Sequence, residues 1–74
     1  MSEHYVYAFC DPLGTITVSS VMSFDDAYEA YCGEGTRLVE AGADLARWQW
    51  RGVWSLDDFP KVLLRHTNPH EEVL

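Results

Sequence analysis

The chain has 74 residues, a formal net charge of −7, 47% hydrophobic residues and ten aromatic side chains. This composition excludes a disordered chain, because such chains are poor in both apolar and aromatic residues. A chain of this length forms one domain whose single core supplies only about 3–5 kcal/mol of net stability, and it leaves no room for an elaborate active site.

The negative charge lies entirely in the first part of the chain. Residues 1–46 contain eight acidic residues and one basic residue, Arg37, whereas residues 47–74 contain four of each. A domain with one strongly negative side repels nucleic acid and attracts basic surfaces. We therefore expect a basic protein surface as the partner, without direct binding of nucleic acid or membrane. The alternative is that the acidity only keeps the protein soluble.

The sequence carries no signal for export or membrane insertion. It has no apolar run long enough to span a bilayer, and Glu3 and Asp11 stand where a signal peptide has a basic and then an apolar region. We expect a monomer in a cytoplasm. In that reducing compartment Cys10 and Cys32 are expected to be two buried thiols, although a disulfide between them stays open.

A β-hairpin is the clearest local prediction. Residues 5–10 and 15–20 are rich in aromatic and β-branched residues, and Asp11-Pro12-Leu13-Gly14 between them has the composition of a tight turn. The expected pairs are Cys10 with Thr15, Phe9 with Ile16, and Tyr7 with Val18. The core side of this hairpin would then consist of Tyr5, Tyr7, Phe9, Ile16 and Val18.

Two helices are predicted after the hairpin. Ser23 is a suitable N-cap with acidic residues in the turn that follows, so the first helix covers residues 24–32. Gly33-Glu34-Gly35 would end it, and a second helix would cover residues 36–49, although Gly42 weakens that helix by about 1 kcal/mol. The residues expected to be largely buried on these helices are Phe24, Tyr28 and Leu45.

The last part of the chain is predicted to add a strand and a short helix. The stretch 48–54 suits either a helix end or a strand, and we assign the third strand to residues 52–56. A last helix would begin at Asp57 or Asp58 and end before Asn68-Pro69. The predicted fold is α+β: a small three-stranded antiparallel sheet, made of the N-terminal hairpin and a short third strand, packed on one side by two to three helices.

The sequence gives little support for catalysis. It contains no glycine-rich phosphate loop and no Cys-x-x-Cys pair. A nucleophile pair of Cys10 or Cys32 with His66 stays open, but cysteines on apolar faces are ordinarily packing residues. We therefore expect a non-enzyme without cofactor, catalytic residues or metal.

The candidate site is a set of acidic residues that helix starts do not explain. Asp25 with Glu29, and Glu40 with Asp44, are like-charge pairs at i,i+4, and each pair destabilises its helix by about 0.2–0.5 kcal/mol. A band of carboxylates over two adjacent helices would engage the Lys and Arg side chains with which other proteins bind phosphates. The alternative is an ordinary solvated face. The predicted band is Asp25, Asp26, Glu29, Glu34, Glu40 and Asp44.

Three tryptophans within seven residues form a second candidate site. One or two of Trp48, Trp50 and Trp54 are expected in the core, but a chain this small hardly buries all three. We expect Trp50 to be the exposed one, next to an arginine, as a hot spot for a partner. The alternative function is therefore a protein-interaction or regulatory module that uses residues 48–54.

The chain also resembles a known class of proteins. It has the hairpin over residues 5–20, the acidic helix start Ser23-Phe24-Asp25-Asp26 and no targeting signal. In these respects it is similar to small acidic inhibitors encoded by phages and mobile elements, above all anti-CRISPR proteins and host-nuclease inhibitors. The resemblance implies an acidic face that mimics DNA and occupies the basic channel of a CRISPR or nuclease complex. The neutral C-terminal part departs from an all-round mimic and implies docking through one side.

Overall fold

The computed structural model describes residues 4–67, with side chains as far as Leu64. The elements in chain order are strand β1 (Tyr5–Cys10), strand β2 (Ile16–Val18), helix α1 (Phe24–Glu40), a 3-10 helix (Leu45–Arg47), strand β3 (Trp50–Ser55) and helix α2 (Phe59–Thr67). The predicted helix end at Asn68-Pro69 lies outside the described residues. Neither α1 nor α2 has the length and apolar character that crossing a membrane requires.

The three strands form one antiparallel sheet in which β1 lies between β2 and β3. The predicted α+β fold with a three-stranded antiparallel sheet is therefore confirmed. β3 pairs with β1 along its whole length, from Tyr5 opposite Ser55 to Cys10 opposite Trp50. It begins two residues before the predicted strand at 52–56, because the alternating tryptophans continue the pairing with β1.

The hairpin forms as predicted, but its register differs by one residue. Cys10 lies opposite Ile16, and Phe9 lies opposite Thr17, not Ile16. The reason is the turn: the N–H of Asp11 donates to the carbonyl of Thr15, and Gly14 has a φ of 94°, so three residues and not four close the loop. A shift of one residue moves every side chain of β2 to the other face of the sheet.

Both faces of the sheet are covered, each by a different helix. On one face Val6 and Ala8 form the core with Phe59 and Val62 of α2. On the other face the ring of Phe9 stacks on Tyr31 of α1 with a centroid distance of 5.2 Å. Successive residues of a strand point to opposite faces, so α1 and α2 lie on opposite sides of β1. The prediction that all helices lie on one side followed from the wrong register of the hairpin.

Helix α1 continues through the two glycines that were predicted to end it. Gly33 and Gly35 lie inside the helix, which ends instead at Glu40, and Gly42 follows the helix end with a φ of 102°. The N–H of Ala43 donates to the carbonyl of Leu38 at 2.9 Å, and that of Gly42 to the carbonyl of Val39 at 3.0 Å. These two bonds are a Schellman motif, which ends a helix with a residue of positive φ. The second helix predicted over residues 36–49 was wrong, because between Gly42 and Gln49 the chain forms only the 3-10 helix.

A serine hydroxyl accepts a backbone N–H at or just before the start of each helix. The hydroxyl of Ser23 accepts from the N–H of Asp26 at 3.2 Å, as predicted. The hydroxyl of Ser55 accepts from the N–H of Asp58 at the same distance, and α2 begins one residue later. Such hydroxyls satisfy backbone N–H groups that have no partner inside the helix. The cap at Ser23 also places the two acidic residues after it in the first turn of α1, where the helix dipole stabilises them.

Candidate functional site

Four acidic residues lie on the solvent-facing side of a single helix. Asp25, Asp26, Glu29 and Glu40 are all exposed on α1. At 1.5 Å per residue, the span from Asp25 to Glu40 is about 22 Å. The prediction of a band over two adjacent helices is thus corrected to a band along one helix, because α1 does not end at Gly33. We call Asp25, Asp26, Glu29 and Glu40 the acidic band.

The other two predicted acids have structural partners. The carboxylate of Glu34 accepts from the guanidinium of Arg37 at 2.6 Å, and only 25% of its side chain is exposed. Asp44 lies beyond the end of α1, where its carboxylate accepts from the N–H of Ala46 at 3.2 Å and caps the 3-10 helix. Glu40 and Asp44 therefore do not lie on one helix, so the predicted i,i+4 repulsion between them does not arise. Glu34 and Asp44 are for these reasons not members of the band.

The acidic band has no internal charge compensation. Arg37 is the only basic residue of α1, and it pairs with Glu34. No ion pair joins the band to another part of the chain that the structure describes. Asp25 and Glu29 repel at i,i+4, and Glu40 lies in the last turn, where the helix dipole disfavours an anion. Folding stability does not account for these two features.

An apolar stripe runs along α1 beside the acidic band. Phe24, Tyr28 and Val39 are 48%, 55% and 55% exposed. Each is followed directly by a member of the band, so the apolar and acidic residues form two adjacent rows on the helix surface. Phe24 and Tyr28 also stack on each other, with a centroid distance of 6.2 Å. The prediction that Phe24 and Tyr28 are largely buried was wrong, because Ala27 and Tyr31 face the sheet in their place.

A groove of about 450 Å³ lies at the C-terminal end of this stripe, between α1 and the 3-10 helix. Its lining residues are Phe9, Tyr31, Cys32, Gly35, Thr36, Val39, Glu40 and Leu45. Leu45, predicted to be largely buried, is half-buried at the wall of this groove. The groove was not predictable from the sequence, because it depends on two features that no local pattern indicated: α1 continues past Gly35, and the chain then returns along α1.

The tryptophans pack against the core from both faces of the sheet. Trp48 contacts Phe9 edge-on, with a centroid distance of 5.9 Å. Trp50 and Trp54 contact each other at 5.6 Å, and both contact Phe59 of α2. All three indoles are half-buried, so the expectation that Trp50 is the exposed one was wrong. Alternation along β3 places Trp50 with Trp54 on the α2 side.

The two cysteines have different surroundings. Cys10 is buried in β1 and Cys32 is exposed on α1, and they form no disulfide. Burial raises the pKa of the Cys10 thiol, and the charge of Asp11 raises it further. Cys32 was predicted to be buried; it is exposed because it follows Tyr31, whose ring faces the sheet. Among the described residues no group of three or more His, Cys, Asp or Glu side chains could hold a metal ion.

Comparison with known proteins gives no relatives. No known protein family, curated protein or solved structure matches the chain significantly.

Proposed function

We propose that this protein is a non-enzymatic binding protein whose helix α1 engages a basic, nucleic-acid-binding surface of another protein. The observation that supports this proposal is the acidic band: four exposed carboxylates on one helix, without an ion pair to any described residue. Two of them, Glu29 and Glu40, stand where a neighbouring charge or the helix dipole disfavours them. A basic partner would offset this electrostatic destabilisation, because its positive charges attract the carboxylates.

The charge density of the acidic band is too low for the band alone to compete with DNA. Duplex DNA carries one charge per about 1.7 Å of its axis, which gives roughly thirteen charges over the length of the band. The band offers four. A protein that competes with DNA through this face must therefore add contacts of another kind, and the apolar stripe of Phe24, Tyr28 and Val39 lies beside the band to provide them.

More specifically, we propose that the partner belongs to a bacterial defence complex. A small acidic inhibitor of the anti-CRISPR or host-nuclease-inhibitor class would occupy the channel or surface with which the complex binds DNA. The acidic band would contact Lys and Arg side chains that otherwise bind phosphates. The C-terminal part, which is neutral overall, would stay outside the contact, so docking would use one side of the molecule.

Affinity capture from a bacterial lysate with matched baits tests the proposal. The baits are the wild type, Glu29→Lys and Asp57→Lys; both variants change the net charge equally, but Asp57 is an exposed residue far from α1 in the chain. We expect a captured protein that binds DNA, that is lost with Glu29→Lys and that is retained with Asp57→Lys. Its elution should need only moderate salt, because exposed charge contacts are screened.

The captured protein is then purified and tested for competition with duplex DNA. We expect the inhibitor to displace DNA, and the triple variant Asp25→Lys, Asp26→Lys, Glu29→Lys to leave DNA bound, because like charges then face each other across the contact. Capture that is equal for all baits and indifferent to salt would contradict the proposal. It would favour an interaction module that uses an apolar surface.

A further inference from the structure

We propose that the groove between α1 and the 3-10 helix receives an apolar side chain of the basic partner, while a Lys or Arg next to that side chain pairs with Glu40. This inference rests on the proposed function and names the second contact that the sparse acidic band requires. It concerns residues of the groove that were not part of the predicted site, above all Val39, Leu45 and Gly35.

The groove is built to hold a side chain. Its volume of about 450 Å³ lies within the range of pockets that bind ligands. Its floor is the stacked pair of Phe9 and Tyr31, held by the core of the sheet. Gly35 contributes no side chain, and a Cβ atom at that position would lie 3.7 Å from Cδ1 of Leu45. Any residue larger than alanine at Gly35 would therefore reduce the space between α1 and the 3-10 helix.

The side chains that line the groove indicate what kind of group can occupy it. Apolar side chains form most of the lining, and the hydroxyl of Thr36 already donates to the carbonyl of Cys32 at 3.0 Å. Glu40 is the one charged residue of the lining, and it is exposed at the C-terminal end of α1. An occupant that fits has an apolar group in the groove and a cation at the Glu40 end.

The position of the groove favours a protein segment as this occupant. The groove continues the apolar stripe, and Val39 belongs to both. The acidic band follows the stripe from Asp25 to Glu40, so a bound segment would meet apolar and acidic residues side by side along α1. A basic segment with one apolar side chain among its Lys and Arg residues matches this arrangement. A few side chains that fill pockets carry much of the affinity of protein contacts.

Titration of the isotope-labelled full chain with three synthetic pentapeptides tests the inference by NMR. The probes are Lys-Lys-Leu-Lys-Lys, Lys-Lys-Gly-Lys-Lys and Ser-Ser-Leu-Ser-Ser, each with blocked ends. We expect both lysine peptides to shift amide signals of the acidic band. The leucine-containing one should bind about tenfold more tightly, because its side chain leaves water, and should also shift Gly35 and Leu45. The serine peptide should bind more weakly than either.

Two changes to the groove separate its contribution from that of the band. Alkylation of Cys32 with a bulky maleimide fills the groove; it should remove the tenfold preference for leucine and leave the affinity for the glycine peptide unchanged. Cys32→Ser, treated in the same way, is the matched control and should keep the preference. Glu40→Gln should weaken both lysine peptides without reducing the leucine preference, since the groove stays open.

The outcomes for the band and for the groove are distinct. Equal binding of the two lysine peptides overturns the groove inference and leaves the acidic band as a site for basic ligands. Failure of both lysine peptides to bind overturns the acidic band as such a site, and with it the proposed function. Tighter binding of the serine peptide than of Lys-Lys-Gly-Lys-Lys overturns the combination of cation and apolar group.

Discussion

The indole of Trp54 lies over Gly52, so that a Cβ atom on Gly52 would be only 3.0 Å from Cη2 and 3.1 Å from Cζ2 of that ring. Trp54 cannot move away easily, because it also contacts Trp50 and Phe59. We expect Gly52→Ala to lower the free energy of unfolding by about 1–3 kcal/mol through overpacking. Chemical denaturation measures this loss, and an unchanged midpoint would mean that the indole is not held there.

Gly33 is a contrasting case, since nothing lies within 4 Å of a Cβ atom at this exposed position inside α1. Gly33→Ala should raise the free energy of unfolding by about 0.5–1 kcal/mol, because alanine favours the helix and restricts the unfolded chain. Gly42→Ala is the matched comparison. It should destabilise the protein by about 1–2 kcal/mol, because Gly42 has a φ of 102°. Equal effects of the two changes would contradict the assigned end of α1.

The core is expected to depend on Phe9 and hardly at all on Tyr28. Phe9 is 2% exposed and contacts Tyr31 and Trp48, whereas Tyr28 is 55% exposed. Phe9→Ala should cost about 3–5 kcal/mol, which is enough to unfold a domain of this size. Tyr28→Ala should cost less than about 1 kcal/mol. Circular dichroism and chemical denaturation of both variants check this order.

The two thiols should react at very different rates. The thiolate is the reactive species, and burial raises the pKa of Cys10, whereas Cys32 is exposed. A thiol reagent in excess should modify Cys32 quickly in the folded protein and Cys10 only after denaturant is added. Cys32→Ser should abolish the fast reaction. Fast modification of two thiols in the native wild type would contradict the burial of Cys10.

The raised pKa of Cys10 also predicts how stability depends on pH. As the pH rises past the ordinary thiol value of 9.0, the unfolded chain loses this proton before the folded chain does. Stability is therefore full below that pH and falls as the pH rises through the value of the folded state. Comparison of Cys32→Ser with the double variant Cys10→Ala, Cys32→Ser isolates the effect, and equal pH profiles would contradict it.

Local chemistry made parts of the fold predictable. The turn residues from Asp11 to Gly14 indicated the hairpin, and the Ser23 cap indicated the start of α1. The register of the hairpin was not predictable from alternation, because Tyr7 and Phe9 on one face of β1 and Ala8 on the other are all apolar in a strand that is covered on both sides. Apolar residues on both faces fit either register.

The helix end at the glycines was likewise not predictable from local sequence patterns. Gly33 and Gly35 have the sequence of a helix end, yet they lie inside α1, where the stacking of Tyr31 on Phe9 holds the helix against the sheet. Gly42, which was interpreted as a weak point in a second helix, is the residue that ends the first. Four of the six predicted acidic residues are exposed on α1, but their placement on one helix, and the groove beside them, followed only from this helix end.

The central position of β1 determines when the sheet is completed during synthesis on a ribosome. β2 and α1 follow β1 closely in the chain, but β3, its other neighbour, pairs Trp50 with Cys10 and Ser55 with Tyr5. Until those residues emerge, one edge of a strand with apolar residues on both faces has no partner within the nascent chain. A chain that stalls before Trp50 therefore presents an open strand edge. We expect that intermediate, more than the finished fold, to aggregate or to be captured by a chaperone.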